Sequence, residues 1–251
     1  MVDFYLQAMM HGLIQTKREI KDKYDEVIEK NIKEYVDSLA FEEGQGAQLV
    51  SVKMKKNKLF EELKEDFKMP KLAEFLDSAV LFIKREGLRY IESSQYETLL
   101  SELDNSSKIL ELFDPVKEIT VKLQNMLQIS DKMMDAINEI AKAAFKEDRT
   151  QGSLSLLVFL TTLDPTDADY WFRMGIAAQK CEDIDLALQA YSIALDMDAE
   201  IIGARVFSAE CYLIQGNQEF AMNEISEAKK IIEHTQVDAM WLDLLATMEE
   251  K

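Results

Sequence analysis

The strongest constraint on this chain is a 34-residue period in its second half. When the stretch around Gly175 is shifted by one period in either direction, small residues align with small residues and bulky residues with bulky ones. The aligned sets are Ala141, Gly175 and Ala209; Ser153, Ala187 and Ala221; and Leu157, Tyr191 and Ile225. A period of this length indicates a repeated pair of helices that stacks against its own copies.

Close helix contacts explain why the small positions recur. The two helices of one repeat cross at the position of Ala141, Gly175 and Ala209, and a side chain larger than a methyl group would separate them. This pattern is typical of tetratricopeptide repeats, so we predict an all-α fold. The predicted elements are three repeats over about 134–167, 168–201 and 202–235, and a capping helix over 236–250 that covers the apolar end of the stack.

The first 129 residues show no repeat, and we assign them to a helical region that precedes the repeat domain of residues 130–251. The chain contains only 8 Gly and 3 Pro, which favours helices almost throughout. The predicted elements are one or two amphipathic helices over 6–39, a loop over 41–48, a short helix from Leu59 to near Pro70, a longer helix over 71–91, helix caps at 104–107 and a helix start at Asp114.

Charge excludes some classes of partner. The net charge is −18, and residues 130–251 hold 10 basic against 23 acidic side chains. Binding to a phosphate backbone needs clustered Lys and Arg, so we expect no nucleic-acid partner. No apolar run approaches the roughly 20 residues that span a bilayer, so we expect no stable membrane insertion. Without a signal peptide or a cysteine framework, the sequence predicts a cytoplasmic protein.

We find no motif of an active site or of a metal site. The sequence has no phosphate-binding loop, no nucleophile elbow and no zinc-ligand spacing, so we predict no catalytic residues, no metal and no cofactor. His11 and His234 lack companions at ligand spacing, and Cys181 and Cys211 are best interpreted as packing thiols. We therefore expect a binding protein and not an enzyme.

Two motifs are more particular than the general repeat. The second repeat carries Trp171-Phe172, Gly175 and Gln179, and the third carries Ala209-Glu210-Cys211-Tyr212-Leu213 and Gly216. With these motifs, residues 130–250 resemble the class II chaperones of bacterial type III secretion, which hold hydrophobic translocator proteins. The resemblance implies a groove that binds an extended segment of a translocator and keeps this virulence protein soluble and competent for secretion.

The region before the repeats departs from the family that the chain resembles. Those chaperones usually carry only a short helical arm there, whereas this chain has about 129 residues. The resemblance does not say whether they form an extra domain, a dimerisation or docking module, or an arm that covers the chain's own groove. A homodimer through the N-terminal helices and packing of these helices against their own neighbours are both compatible with the sequence.

The first helix of each repeat should line the inner face of the curved stack. The predicted peptide-binding positions are Asn138, Lys142, Phe145, Phe172, Ile176, Gln179, Val206, Glu210 and Leu213. Apolar members could form pockets for apolar side chains, and polar members could bond an extended backbone. Phe172 and Val206 could instead only pack between adjacent helices. We expect Trp171 to lie in the core and Trp241 to be buried by the cap.

Other functions remain compatible with the repeats. A general adaptor could assemble a cytosolic complex with no role in export, and a regulator could use the first half as its effector. The stretch over 52–71 is rich in Lys, which fits either a partner site or an ordinary charged helix with supporting Glu–Lys pairs.

Overall fold

The computed structural model describes residues 21–39, 52–67, 70–112, 121–234 and 239–249. Within these ranges all regular structure is helical. The helices are α1 (Lys21–Ser38), α2 (Val52–Phe67), α3 (Pro70–Glu86), α4 (Ser93–Leu112), α5 (Leu123–Met126), α6 (Asp131–Lys146), α7 (Thr150–Leu163), α8 (Ala168–Lys180), α9 (Ile184–Met197), α10 (Ile202–Ile214), α11 (Gln218–His234) and α12 (Ala239–Glu249), with a 3₁₀ turn over Gly87–Arg89 between α3 and α4. The all-α prediction is confirmed.

The described residues divide into two compact units. One contains the residues up to Asp77 together with Ser101–Ile129, and the other contains Ser78–Leu100 together with the residues from Ser130 onward. The domain boundary predicted at residue 129 stays a prediction, to which the structure adds that the segment over 78–100 packs with the repeats.

In the first unit, α1 and α2 pack against each other. Ile32 and Val36 of α1 are buried, and the Lys56 ammonium donates a hydrogen bond to the Asp37 carbonyl at 2.9 Å. The helix α2 begins at Val52, earlier than the predicted start at Leu59. The loop over 41–48 and the helix start at Asp114 lie outside the described residues, as do positions 6–20 of the first predicted helix.

The prediction of helix caps at 104–107 is wrong. These residues lie inside the 20-residue helix α4. The Ser106 hydroxyl is bonded to the Glu102 carbonyl one turn earlier, at 2.8 Å, and to the Leu127 carbonyl, at 3.0 Å. A serine whose hydroxyl is satisfied in this way is compatible with a helix interior, so the cap-like composition did not mark a helix end.

The second unit contains three helix hairpins, α6–α7, α8–α9 and α10–α11, and each packs against the next. Every hairpin turns through a residue with positive φ, and these residues are one period apart: Asp148 at 59°, Glu182 at 63° and Gly216 at 74°. After each, a backbone N–H bonds to a carbonyl five residues earlier, as in a Schellman ending: Arg149 to Ala144, Asp183 to Ala178 and Asn217 to Tyr212.

The predicted close crossing of the two helices is confirmed in the first two repeats. A Cβ atom on Gly175 would lie 2.3 Å from the ring of Tyr191, which is completely buried. In the first repeat, the Ser153 hydroxyl donates to the Ala141 carbonyl at 2.9 Å. The small residues of the period therefore bring α6 against α7 and α8 against α9.

The last helix α12 packs against α10 and closes the stack. Leu245 and Met248 of α12 join a core cluster with Val206, Ile225 and other buried residues of the third repeat. Trp241 is half-buried, with its ring 5.7 Å from the ring of Phe207. By contrast, Trp171 lies in the core, as predicted, and its indole N–H donates to the Pro165 carbonyl at 2.9 Å.

The segment over 78–100 is held to the first hairpin around Arg149. The guanidinium makes two contacts of 2.8 Å with the Glu86 carboxylate and donates to the Tyr90 hydroxyl at 3.1 Å. It also lies over the ring of Phe82, 5.0 Å from the ring centroid. Phe82 in turn contacts Gly152, where a Cβ atom would lie 2.3 Å from the ring.

Candidate peptide-binding groove

A cavity of about 320 Å³ opens between α6, α7 and α8. Its lining is mostly apolar. Four of the nine predicted groove residues contribute to it: Lys142, Phe145, Phe172 and Ile176. The other lining residues are Ala141, Lys146, Ser153, Leu157, Asp169 and Arg173. We call this cavity the first-repeat pocket.

Differences in side-chain volume between repeats explain where the pocket opens. One period after Leu157 and Arg173, the chain carries Tyr191 and Phe207. The rings of Tyr191 and Phe207 lie 6.2 Å apart and occupy the corresponding place in the second repeat. The first repeat has only the shorter Leu157 at the base, and Arg173 extends to the rim. The pocket is therefore the space that an aromatic pair fills one repeat later.

Phe172 both packs in the stack and lines the pocket. Its ring centroid lies 6.1 Å from that of Tyr191 and 6.2 Å from that of Phe207, against which it is stacked. The side chain is half-buried and also borders the cavity. These neighbours hold the ring in place, so the pocket wall is rigid before any ligand arrives.

Phe145 forms the opposite wall from α6. The Lys180 ammonium lies 4.9 Å from the centroid of its ring and also forms a 2.5 Å ion pair with Asp148. That hydrogen bond with Lys180 lowers the pKa of the Asp148 carboxyl. Phe145 therefore presents an apolar face to the pocket while a cation covers another part of the ring.

Charged side chains stand at the rim. Lys142 is paired with Glu139 on the same helix, and the Arg173 guanidinium lies 2.7 Å from the Asp169 carboxylate. Lys146 is exposed and forms no ion pair with another residue in the described part of the chain. Sequence reasoning missed Lys146, Arg173 and Asp169, although one turn of α6 separates Lys142 from Lys146 and one turn of α8 separates Asp169 from Arg173.

The predicted polar residues Gln179 and Glu210 bond to each other. The Gln179 amide donates to Glu210 at 2.8 Å, and the Tyr191 hydroxyl donates to the Gln179 amide oxygen at 2.8 Å. Burial raises the pKa of the Tyr191 hydroxyl, with further contributions from Cys211 and Glu210, so Tyr191 stays a neutral donor. An amide carries two N–H groups, so Gln179 keeps one donor for a ligand.

The structure places three predicted positions away from an open surface. Val206 is completely buried, and the half-buried Leu213 packs against the same core cluster beneath α12. The Asn138 amide oxygen is buried without a hydrogen-bond partner. Val206 follows Phe172 by one period, but the capping helix covers the corresponding surface of the third repeat, so Val206 cannot contact a ligand in this conformation.

The remaining reactive side chains show no arrangement for chemistry. Burial raises the pKa of the Cys211 thiol to about 12, and it also raises the pKa of the half-buried Cys181. His234 is exposed at the end of α11, and His11 lies outside the described residues. Across the described ranges there is no group of three or more His, Cys, Asp or Glu side chains that could hold a metal ion. None of the described helices has the length and apolar composition needed to cross a membrane.

No protein-family model and no curated protein matches the sequence. Among solved structures, the chain is similar to the translocator chaperone SycD of Yersinia enterocolitica type III secretion, with 19% identity and a TM-score of 0.49 over 53% of this chain and 100% of SycD. It is similar to PcrH in complex with the chaperone-binding region of PopB, with 20% identity and a TM-score of 0.46 over 48% and 97% of the two chains. For a chain of the CopN–Scc3 complex the values are 18%, 0.49, 62% and 98%. Translocator chaperones, which the sequence motifs resemble, are thus among these structures.

Proposed function

We propose that this protein is a cytosolic type III secretion chaperone. Its repeat domain binds an extended segment of a hydrophobic translocator and keeps that protein soluble until export. It acts by binding and not by catalysis. The observation that carries the proposal is the first-repeat pocket, an open apolar cavity on the helices that carry the family-like motifs.

The pocket has the properties that reversible capture requires. Its volume of about 320 Å³ is at the small end of ligand sites, so it accommodates a side chain of a segment and not a whole domain. Full burial of one large apolar side chain contributes about 1.5–3 kcal/mol. One such anchor gives modest affinity, which suits a client that has to be released later.

The polar pair beyond the pocket supports binding of an extended chain. Gln179 retains a free amide N–H and Glu210 has a second carboxylate oxygen, and both residues belong to the first helices of adjacent repeats. An extended segment needs partners for its own backbone groups when it is covered. Exposed apolar surface on a translocator would otherwise promote aggregation, which such binding prevents.

A pocket-filling variant tests the proposal without adding charge to the core. Ala141→Gly with Leu157→Tyr copies into the first repeat the pair that Gly175 and Tyr191 form in the second. We expect this variant to keep its helical circular dichroism and to lose its client in a pull-down after co-expression with proteins that carry paired apolar transmembrane segments. Leu157→Ile conserves volume, leaves the pocket open and serves as the control.

Two results would contradict the proposal. If no membrane-inserting protein becomes soluble when it is co-expressed with the chain, the chaperone function is wrong. If a client is retained equally by the unaltered chain and by the folded pocket-filling variant, the first-repeat pocket is not the binding site.

A further inference from the structure

The rim of the first-repeat pocket has a charge opposite to that of the protein. Three of its ten lining residues are cations, Lys142, Lys146 and Arg173, and one is an anion, Asp169. The whole chain has a net charge of −18, and residues 130–251 contain only 10 basic side chains. Three of these ten therefore surround one apolar cavity.

The rim cations differ in how far they are already neutralised. Arg173 is paired with Asp169 at 2.7 Å, and Lys142 is paired with Glu139. Lys146 is exposed at the end of α6 and is not paired with any of the described residues. A negative group that approaches the pocket mouth therefore meets an available ammonium at Lys146 and further donors on Arg173 and Lys142.

We infer that the first-repeat pocket selects a large apolar side chain that has an acidic residue beside it in the bound segment. The inference rests on the proposed function, because it specifies the segment that the same site binds. The apolar anchor enters between Phe145, Phe172 and Leu157, and the neighbouring carboxylate contacts Lys146. The cations also disfavour a segment whose anchor is flanked by Lys or Arg, since like charges would then meet at the rim.

This preference runs against the charge of the whole molecule. A protein with a net charge of −18 attracts basic peptides through its long-range field. A preference for acidic residues can therefore come only from a local arrangement such as the rim. Salt screens contacts between exposed charges, so the preference should weaken as the ionic strength rises.

The test selects random peptides from a displayed library on the full-length chain and removes those that still bind the pocket-filling variant Ala141→Gly with Leu157→Tyr. We expect the remaining peptides to carry Asp or Glu within two positions of a large apolar residue. Synthetic copies in which that acid is replaced by its amide should bind the unaltered chain about two- to fivefold more weakly, the range for an exposed ion pair.

Variants of one helix assign the effect to the rim. Lys146→Gln should remove most of the difference between the acid and amide peptides, whereas Lys132→Gln makes the same charge change on α6 outside the pocket lining and should preserve it. If peptides that depend on the pocket show no enrichment of acids, the inference is wrong and the proposed function stands. If no peptide distinguishes the open pocket from the filled one, the proposed function and the inference both fail.

Discussion

Replacing Gly175 by Ala tests whether side-chain volume controls how the helices of a repeat pack. The added Cβ atom would lie 2.3, 2.5 and 2.9 Å from three carbons of the Tyr191 ring. Carbon atoms pack best at about 3.5–4.0 Å, so the ring or the helix has to move by more than about 1 Å. The Tyr191 ring is completely buried and its hydroxyl is bonded to Gln179, so the ring has little room to move.

Two opposing effects determine the magnitude. Overpacking of a well-filled core costs about 1–3 kcal/mol. In a helix interior, Ala is favoured over Gly by about 1 kcal/mol, which offsets part of that cost. We therefore expect Gly175→Ala to lower the free energy of unfolding by about 1–2 kcal/mol. For a domain of about 150–250 residues, each kcal/mol changes the Tm by about 2–4 °C.

Thermal and urea unfolding followed by circular dichroism measure the effect. Gly175→Ala combined with Tyr191→Leu recreates the pair that Ala141 and Leu157 form in the first repeat, so the double variant should be more stable than the sum of the single changes predicts. Ala141→Gly alone, where no ring lies close, should show only the helix-propensity cost of about 1 kcal/mol. A higher Tm for Gly175→Ala would refute the argument, because it would show that Tyr191 imposes no constraint.

Two further predictions concern titratable groups. The hydrogen bond from Arg149 lowers the pKa of Glu86, so its contribution to docking of the segment over 78–100 is complete above about pH 4.5 and is lost as the pH falls below that value; hydrogen exchange over 87–92 should accelerate as the pH is lowered, and Arg149→Met should reduce this pH dependence, whereas an unchanged profile would contradict the assignment. Burial raises the pKa of Cys211 to about 12, so a thiol reagent at about pH 8 should modify Cys181 first and Cys211 only after unfolding, and equal rates for both would show that Cys211 is not protected.

The short-range parts of the fold were predictable. A 34-residue period is visible in sequence because each hairpin repeats the same contacts between small and bulky residues, as Gly175 and Tyr191 do. The hairpin turns were predictable in position but not in conformation. Glu182 has positive φ at the same place as Gly216, and only glycine indicates such a conformation from residue type.

The candidate site was predictable only in part. Helix phase correctly brought Phe145, Phe172 and Ile176 to one cavity, but Val206, at the next equivalent position, is buried because the capping helix covers it. Contacts between the first repeat and the segment over 78–100 also had no sequence signal. Gly152 contacts Phe82 although 70 residues separate them, and no local pattern encodes such a pairing.

By itself, the sequence determined that this chain forms three stacked helix pairs, because that information is carried by residues within one period of each other. Only the tertiary structure decided where the stack is open. An opening depends on the volumes of side chains from three helices at once, and Leu157 with Arg173 leaves space where Tyr191 with Phe207 does not. Periodicity reports which positions face inward, whereas the space between them depends on how those particular side chains fill it.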